Sequence, residues 1–551
     1  MNDAHFDFWP KRMPRSLTLP ETSVFYNLEV SARRYPEKAA IVYYGSELSY
    51  RGLFEQSGRM AGFLSELGVS KGDRVVLYMQ NSPQFAVAFY AVLRLGAVVV
   101  PINPMLTASD LEFHVEDSGA KTAFVGQELH PKASPLLEKG SLENIIVAAY
   151  SDYLTKNTDL PIPDVAAAPA EETEGAATPW CDALAGGHAP PEVSVGPDDM
   201  ALLPYTSGTT GRPKGCVHTH RNLQATLVSA GLWANHTPNT VALSVLPLFH
   251  VTGMQHSMNA PVYYGGAIVL MTRWDKEAAA KLIEREGVTH WVNISTMVVD
   301  FLSNPKVKEY DLSTLSSVGG GGAPLPEAVG EKMKDFIGVQ YMEGYGLSET
   351  ISQTHFNPPD RPKLQCLGIP SFDVDARIID PETFEERGAD EEGEIVVEGP
   401  QVFQGYWNRP DEDEKAFIEI EGKRFFRTGD LGRRDGEGYF FMLDRLKRMI
   451  NAGGYKVWPA EVESIMYRHP SIQEACVIGV PDERLGEAAK AFVVLRESEE
   501  GASADDIISW SREEMAAYKV PRRVEFVDAL PKSGSGKILW RGLQEKERSM
   551  A

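Results

Sequence analysis

The stretch Tyr205-Thr-Ser-Gly-Thr-Thr-Gly-Arg-Pro-Lys-Gly215 concentrates the residue types that can hold a polyphosphate. Its small residues, Gly208 among them, let successive backbone N–H groups close round phosphate oxygens. The hydroxyls of Thr206, Ser207, Thr209 and Thr210 add donors, and Lys214 adds a mobile positive charge. A flexible linker would share this composition but would not set Pro-Lys-Gly behind a strand-like apolar run at 200–203. No Walker pattern can be drawn through it, so the cradle is of another kind. Two histidine pairs, His218/His220 and His250/His256, suggest a metal, yet neither has a third ligand nearby in sequence, and a structural role is expected. Cys181, Cys216, Cys366 and Cys476 are scattered without metal-like spacing, which fits a reducing, cytoplasmic compartment.

The elements that would carry such a loop alternate along the chain. Leu53, Phe54, Met60, Ala61, Leu64 and Leu67 form a helical stripe that Gly68 can end. Residues 74–79 then read as a strand, 82–95 as a helix and 97–100 as a buried strand. This is βαβ organisation, with a largely parallel sheet covered by helices. Apolar runs at 122–125, 145–148, 268–271 and 291–294 repeat the theme, separated by helical stretches such as 276–286 and 326–336. Residues 157–199, rich in Ala, Pro and Glu, read as a long surface excursion. Beyond Phe441 the texture changes to a compact α+β pattern: a helix from Pro459, strands at 474–480 and 489–495, a helix near 505–516 and a strand at 524–527.

With 551 residues, 43% hydrophobic and 24% charged, the chain has the composition of a soluble protein too long for one core. A net charge of −23 excludes a nucleic-acid partner on most of the surface, while leaving room for a small anion held by local dipoles. The most apolar run, 85–102, is broken by Arg94, Gly96 and Pro101, so a buried helix followed by a strand is expected and not a transmembrane segment. The first residues, MNDAHFDFWPKR, lack the apolar core of a signal peptide.

Taken as a series, the motifs are distinctive. Gly321-Gly-Ala-Pro-Leu-Pro326 follows the phosphate loop, then Tyr345-Gly-Leu-Ser-Glu-Thr350, Glu394-Ile-Val-Val-Glu-Gly-Pro400 and Gly405-Tyr-Trp-Asn408. Thr428-Gly-Asp430, Asp444-Arg-Leu-Lys-Arg448, Gly453-Gly454 with Pro459-Ala-Glu-Val-Glu463, and Lys532-Ser-Gly-Ser-Gly-Lys537 complete it. In order and spacing, from about Ser49 to Arg541, the chain resembles the superfamily of acyl-CoA synthetases, peptide-synthetase adenylation domains and beetle luciferases. The resemblance implies an α/β fold with a large multi-sheet N-terminal domain, 1–444, a hinge at 445–448 and a smaller, mobile α+β lid, 449–551, with the active site between them. It implies that ATP and a carboxylic acid give an acyl-adenylate, which then passes to the thiol of CoA.

Residue by residue, the resemblance places ATP on the loop residues named above, on Gly321, Gly322, Ala323 and Pro324, and on Gly344, Tyr345, Gly346, Ser348, Glu349 and Thr350. Asp430 offers two acceptors suited to ribose hydroxyls, with Arg445 as the second ribose contact. Glu349, helped by Thr206, would hold Mg²⁺, which favours carboxylate, phosphate and water oxygens. Lys537 would stabilise charge between the acid and the α-phosphate. His250 would gate the carboxylate; Met254, Trp291, Ser295, Thr296, Met297 and Gly320 would line the acyl site, and Gly453, Gly454, Tyr455 and Lys456 the path of CoA. Asp444 stands where the family usually has Gly, and the hinge residue, commonly Asp or Lys, is Arg448; Tyr455 and Lys456 also depart from the pattern. Proline at 448 is expected to block the turn of the lid, and lysine to be mild.

Alternatives are a ligase that loads a carrier protein, an amino-acid adenylating domain, a luciferase-like oxidase and a non-catalytic nucleotide binder. Residues 242–274 contain no Asp or Glu to pair with a substrate ammonium. An apolar monocarboxylate, a medium- or long-chain fatty acid or an aryl acid, suits the expected pocket. The sequence leaves monomer and homodimer open.

Overall fold

The apolar run at 85–102 forms helix Pro83–Arg94 and strand Val98–Pro101. Ser82 accepts the N–H of Phe85, and Pro83 stands at the first helical position, so both start signals are met. The protein is described by a computed structural model over residues 4–172, 177–206, 212–322, 325, 327–453, 455–482, 484–496, 502–532 and 538–550. Two units divide it: Met1–Asp375 with Glu398–Arg424, and Ala376–Val397 with Phe425–Ala551.

The first unit holds two large sheets. In the seven-stranded one the order is His218–Thr219, Met200–Leu202, Val98–Pro101, Arg74–Tyr78, Thr122–Gly126, Asn144–Ala148, Thr178–Pro179. All neighbours are parallel except the first pair. Val98, Val99, Val100 and Pro101 are all buried, as a strand covered on both faces must be. The excursion expected at 157–199 is only partly at the surface. Thr178–Pro179 adds the edge strand, and Trp180, 1% exposed, opens a short helix and packs against Phe124. One large ring outweighs the polar composition around it.

In the nine-stranded sheet the order is Ile369–Pro370, Ser352–Phe356, Met342–Leu347, Ser317–Gly320, His290–Asn293, Val241–Ser244, Ala267–Leu270, Ala39–Tyr43, Ser46–Ser49. The six strands from Met342–Leu347 to Ala39–Tyr43 are parallel, so their C-terminal ends share one edge. Helix Lys276–Glu286 is one of the crossovers, capped by Asp275 and stopped by Gly287 in the left-handed region.

The second unit contains the antiparallel strands Gly393–Glu398, Lys423–Arg434 and Phe440–Arg445, the middle one beginning in the first unit. The α+β region follows: hairpin Ile450–Ala452 with Tyr455–Val457, helix Pro459–Met466, paired strands Ile472–Asp482 and Gly486–Leu495, helix Ala504–Glu514 and strand Arg523–Phe526. Its core is built from Ile450, Val457, Val462, Met466, Val477 and Ile507. This unit starts earlier than the expected lid at 449. Strand Phe440–Arg445 is bonded into it, and the Asp444 carboxylate accepts the Ala460 N–H at 2.6 Å, tying the two sides of 445–448 together. No helix among the described residues is long and apolar enough to cross a membrane.

Candidate active site

Four loops leave the common C-terminal edge of the nine-stranded sheet, the position where parallel α/β sheets bind ligands. Val241–Ser244 leads to His250, His290–Asn293 to Ser295, Ser317–Gly320 to Gly321 and Met342–Leu347 to Glu349. Close backbone approach explains the glycines here. A Cβ on Gly320 would lie 1.9 Å from the Asn293 carbonyl oxygen, and one on Gly346 would lie 1.6 Å from that of Ser352. Gly344 pairs with Phe356 across the Met342–Leu347 hairpin.

The phosphate loop springs from Met200–Leu202, and its ends are zipped: Tyr205–Thr206 pairs antiparallel with Lys214–Gly215. Ser207, Gly208, Thr209 and Thr210 lie outside the described residues, as do Ala323, Pro324, Gly454 and Lys537. The stretch 404–407 backs the return strand, with N–H groups of Gln404 and Trp407 donating to the carbonyls of Val217 and Gly215 at 2.9 and 2.8 Å. This brings in Tyr406. Its hydroxyl donates to Glu349 Oε1 at 3.0 Å, and its ring centre lies 4.1 Å from Lys214 Nζ. Lys214, 8% exposed, also meets Glu412 at 2.7 Å. Burial first, then the Glu349 carboxylate, pushes the Tyr406 hydroxyl and the Cys216 thiol well above their usual ranges. Lys214 and Glu349 therefore share a neighbourhood.

Glu349 sits in the 3₁₀ turn Ser348–Thr350, between Leu347 and two residues of positive φ, Ile351 at 45° and Ser352 at 103°. Such backbone is costly for a β-branched residue and clusters at functional turns. Thr350 shapes the turn: it is fully buried, accepts from Leu347 N and donates to the Ser352 carbonyl. His218 Nε2 lies 2.7 Å from the Ser348 carbonyl, tying the phosphate strand to the turn. Tyr345 stands against His355, with ring centres 5.6 Å apart. Gly322 has φ 88°, and Leu325 N donates to the buried Glu343 carboxylate at 2.8 Å.

Beyond strand Val241–Ser244, His250 caps the short helix Val251–Met254, with Nδ1 accepting Thr252 N at 3.3 Å. A π-helical segment, Gln255–Asn259, follows, a form enriched at functional sites. Ser295 and Met297 are half-buried and Thr296 exposed in the first turn of helix Ser295–Ser303. Met254 and Trp291 are fully buried; Trp291 stacks on Trp274 at 5.6 Å and 8° and packs on Phe301. That ring packs within the core. Burial lowers His218, His220 and His256 to about 4, so these imidazoles stay neutral, and no metal-holding group of three exists among the described residues.

Within the second unit, Asp430 and Arg445 are cross-strand partners, Arg445 Nε lying 3.0 Å from the carboxylate. Asp430 is 1% exposed, beside an irregularity of its strand where Gly429 has φ 70° and donates to Glu394 at 3.1 Å. Arg448 is half-buried against Glu463 and Asp444 and donates to the Val477 carbonyl at 3.1 Å. Gly453, φ 64°, turns the hairpin whose exposed Tyr455 stacks on Tyr518 at 4.8 Å; Lys456 is exposed.

Residues 28–407 match the family profile described as AMP-binding enzyme, and 461–537 match the AMP-binding enzyme C-terminal domain. The chain belongs to the AMP-binding enzyme family. It is 36% identical to a long-chain-fatty-acid–CoA ligase of Bacillus subtilis, over 98% of this chain and 97% of the relative. It is 35% identical to a feruloyl-CoA synthase of Amycolatopsis, over 92% and 96% respectively. The ATP-bound crystal structure of MatB from Rhodopseudomonas palustris superposes with a TM-score of 0.85 at 28% identity, covering 96% of this chain and 100% of that one. This AMP-binding enzyme is an acyl-CoA ligase, an AMP-forming acid–thiol ligase that uses ATP.

Sequence reasoning named Glu349 and Lys214 but missed Tyr406, Glu412 and Glu343. Tyr406 was visible only as part of Gly405-Tyr-Trp-Asn408. Its contact with Glu349 spans 57 positions, which no local pattern reports.

Proposed function

We propose that this ligase activates an apolar monocarboxylic acid, a medium- or long-chain fatty acid or an aryl acid, with Mg²⁺·ATP. The observation that carries this is the cluster of Glu349, Tyr406 and Lys214 beside the zipped phosphate loop. Among its relatives, the Bacillus subtilis protein is named for long-chain fatty acids and the Amycolatopsis protein for ferulate. No carboxylate lies in residues 242–274 to pair with a charged substrate tail.

A hard divalent cation takes carboxylate and hydroxyl oxygens, and Glu349 with Thr206 presents that donor chemistry next to the phosphate strand. Bound there, Mg²⁺ would neutralise phosphate charge. Lys214 and the loop N–H groups hold the terminal phosphates, and Asp430 with Arg445 takes the ribose hydroxyls. His250 orients the acid. A carboxylate oxygen forms a bond to the α-phosphorus as the bond to pyrophosphate breaks, with Lys537 offsetting the charge that gathers. In the second step the CoA sulfur bonds to the acyl carbon and AMP leaves, with Gly453, Gly454, Tyr455 and Lys456 along the thiol's path. The pivot between the steps is placed near Arg448. Three buried free cysteines suit a cytoplasmic enzyme, monomeric or homodimeric.

The test is pyrophosphate release and acyl-CoA formation over a panel of fatty, aryl, dicarboxylic and amino acids, with and without CoA. Fatty or aryl acids should give both products. Preference for a dicarboxylate or an amino acid would overturn the substrate class.

A further inference from the structure

Tyr406 is 8% exposed and lies on the stretch that backs the phosphate strand, bridged to Cys216. Its backbone N–H donates to Asp413 Oδ1 at 2.7 Å, so the residue is fixed at the main chain as well. A buried tyrosine needs one partner for its hydroxyl, and any backbone carbonyl would serve. Here the hydroxyl goes to an ionisable carboxylate, Glu349, at 3.0 Å, while the ring face lies 4.1 Å from the ammonium of Lys214. The two faces of one side chain thus touch two groups of opposite charge that act on the same polyphosphate. A hydrogen bond to a carboxylate is directional, and a cation over a ring is held by the ring's quadrupole. Both constraints act on groups that would otherwise relax toward each other.

We propose that Tyr406 is a positioning residue for adenylation: one side chain sets the separation between the carboxylate that takes the cation and the ammonium that takes the phosphates. Glu412, 2.7 Å from Lys214, holds the ammonium on the ring until phosphate replaces it. The proposal rests on reading Glu349 as the cation-side group and Lys214 as the phosphate-side group. It predicts that the two functions of Tyr406 come apart. Phenylalanine keeps the ring for Lys214 and removes the bond to Glu349. Leucine removes both.

Calorimetric titration of the full-length protein with ATP, in the presence and absence of Mg²⁺, reads this without turnover. For Tyr406→Phe the Mg²⁺-free affinity should stay within about two-fold of the parent, while the gain from Mg²⁺ shrinks about ten-fold. Tyr406→Leu should lose the same gain and also about five-fold in Mg²⁺-free affinity. Half-saturating Mg²⁺ in pyrophosphate release should rise in both, with the KM for the acid unchanged. A Phe variant with the parent's Mg²⁺ dependence would show that the tyrosine only packs. Equal loss with and without Mg²⁺ in the Phe variant would overturn the division of roles. Glu349→Gln separates the foundations: if it leaves the Mg²⁺ gain intact, the reading of Glu349 fails, and the metal half of the proposal with it.

Discussion

At Gly346 the backbone passes so near Ser352 that a methyl group would sit 1.6 Å from a carbonyl oxygen. The sequence pattern marks this glycine as a nucleotide contact; the geometry gives it a steric cause, the tight return of the Glu349 turn. Gly346→Ala should therefore destabilise the protein by ~3 kcal/mol or more, read as the urea midpoint, and weaken ATP binding with it. Parental stability in the alanine variant would mean that the hairpin is not this tight. Lys214 was legible as a candidate from its Gly-rich loop, and Glu349, Asp430 and Arg445 only from the order of the motifs, since a lone Asp in a Thr-Gly-Asp turn reads as a cap. Tyr406 was not, since a tyrosine reads as core until its two neighbours are seen. Trp291 and Thr350, candidates by the same motif order, also have structural partners, a stack on Trp274 and the carbonyl of Ser352.

Among the elements, the segment Phe440–Arg445 with the turn Leu446–Arg448 departs most from expectation. Two of the departures from the family pattern, Asp444 and Arg448, prove to be neighbours, 3.9 Å apart, with Asp444 buried and Arg448 half-buried beside Glu463. Burial raises the Asp444 and Glu463 carboxyls, with Arg448 opposing, so the cluster depends on its one cation. Lysine at 448, expected to be mild for the turn of the lid, should then still cost stability. It cannot serve Glu463 and the Val477 carbonyl with a planar fork. Arg448→Lys should cost about 1.5–3 kcal/mol and Arg448→Met about 3–5, the latter leaving two buried carboxyls unpaired. The unfolding transition of the second unit, followed by tryptophan fluorescence, checks the order; equal stability of all three would remove the cluster from the account. The parallel strands and crossover helices were legible because apolar runs and caps are local signals. Strand order, and the return of 398–424 to the first unit, were not, since both depend on pairings hundreds of positions apart.

For the molecule as a whole, neutral buried histidines set an acid limit. His218, His220 and His256 are lowered by burial to about 4 from 6.5. The unfolded chain takes up these protons below about pH 6.5 and the folded one only near 4. Their contribution to stability is thus complete above about 6.5 and is lost as pH falls through that window. In His256→Gln the slope of unfolding free energy against pH, measured between 6.5 and 4, should be shallower than in the parent by about one proton. An unchanged slope would mean that His256 charges freely in the folded state. The division of the chain has a further consequence, for synthesis. Strand Gly393–Glu398 leaves the ribosome before its partner Lys423–Arg434, and the backing of the phosphate strand, at 404–407, lies between them. The nascent first unit therefore cannot make the bonds from 404–407 to Gly215 and Val217 until unpaired strand edge from the second has already emerged. A pause in translation shortly after residue 400 would leave that edge open to other chains, the stage at which aggregation competes with folding.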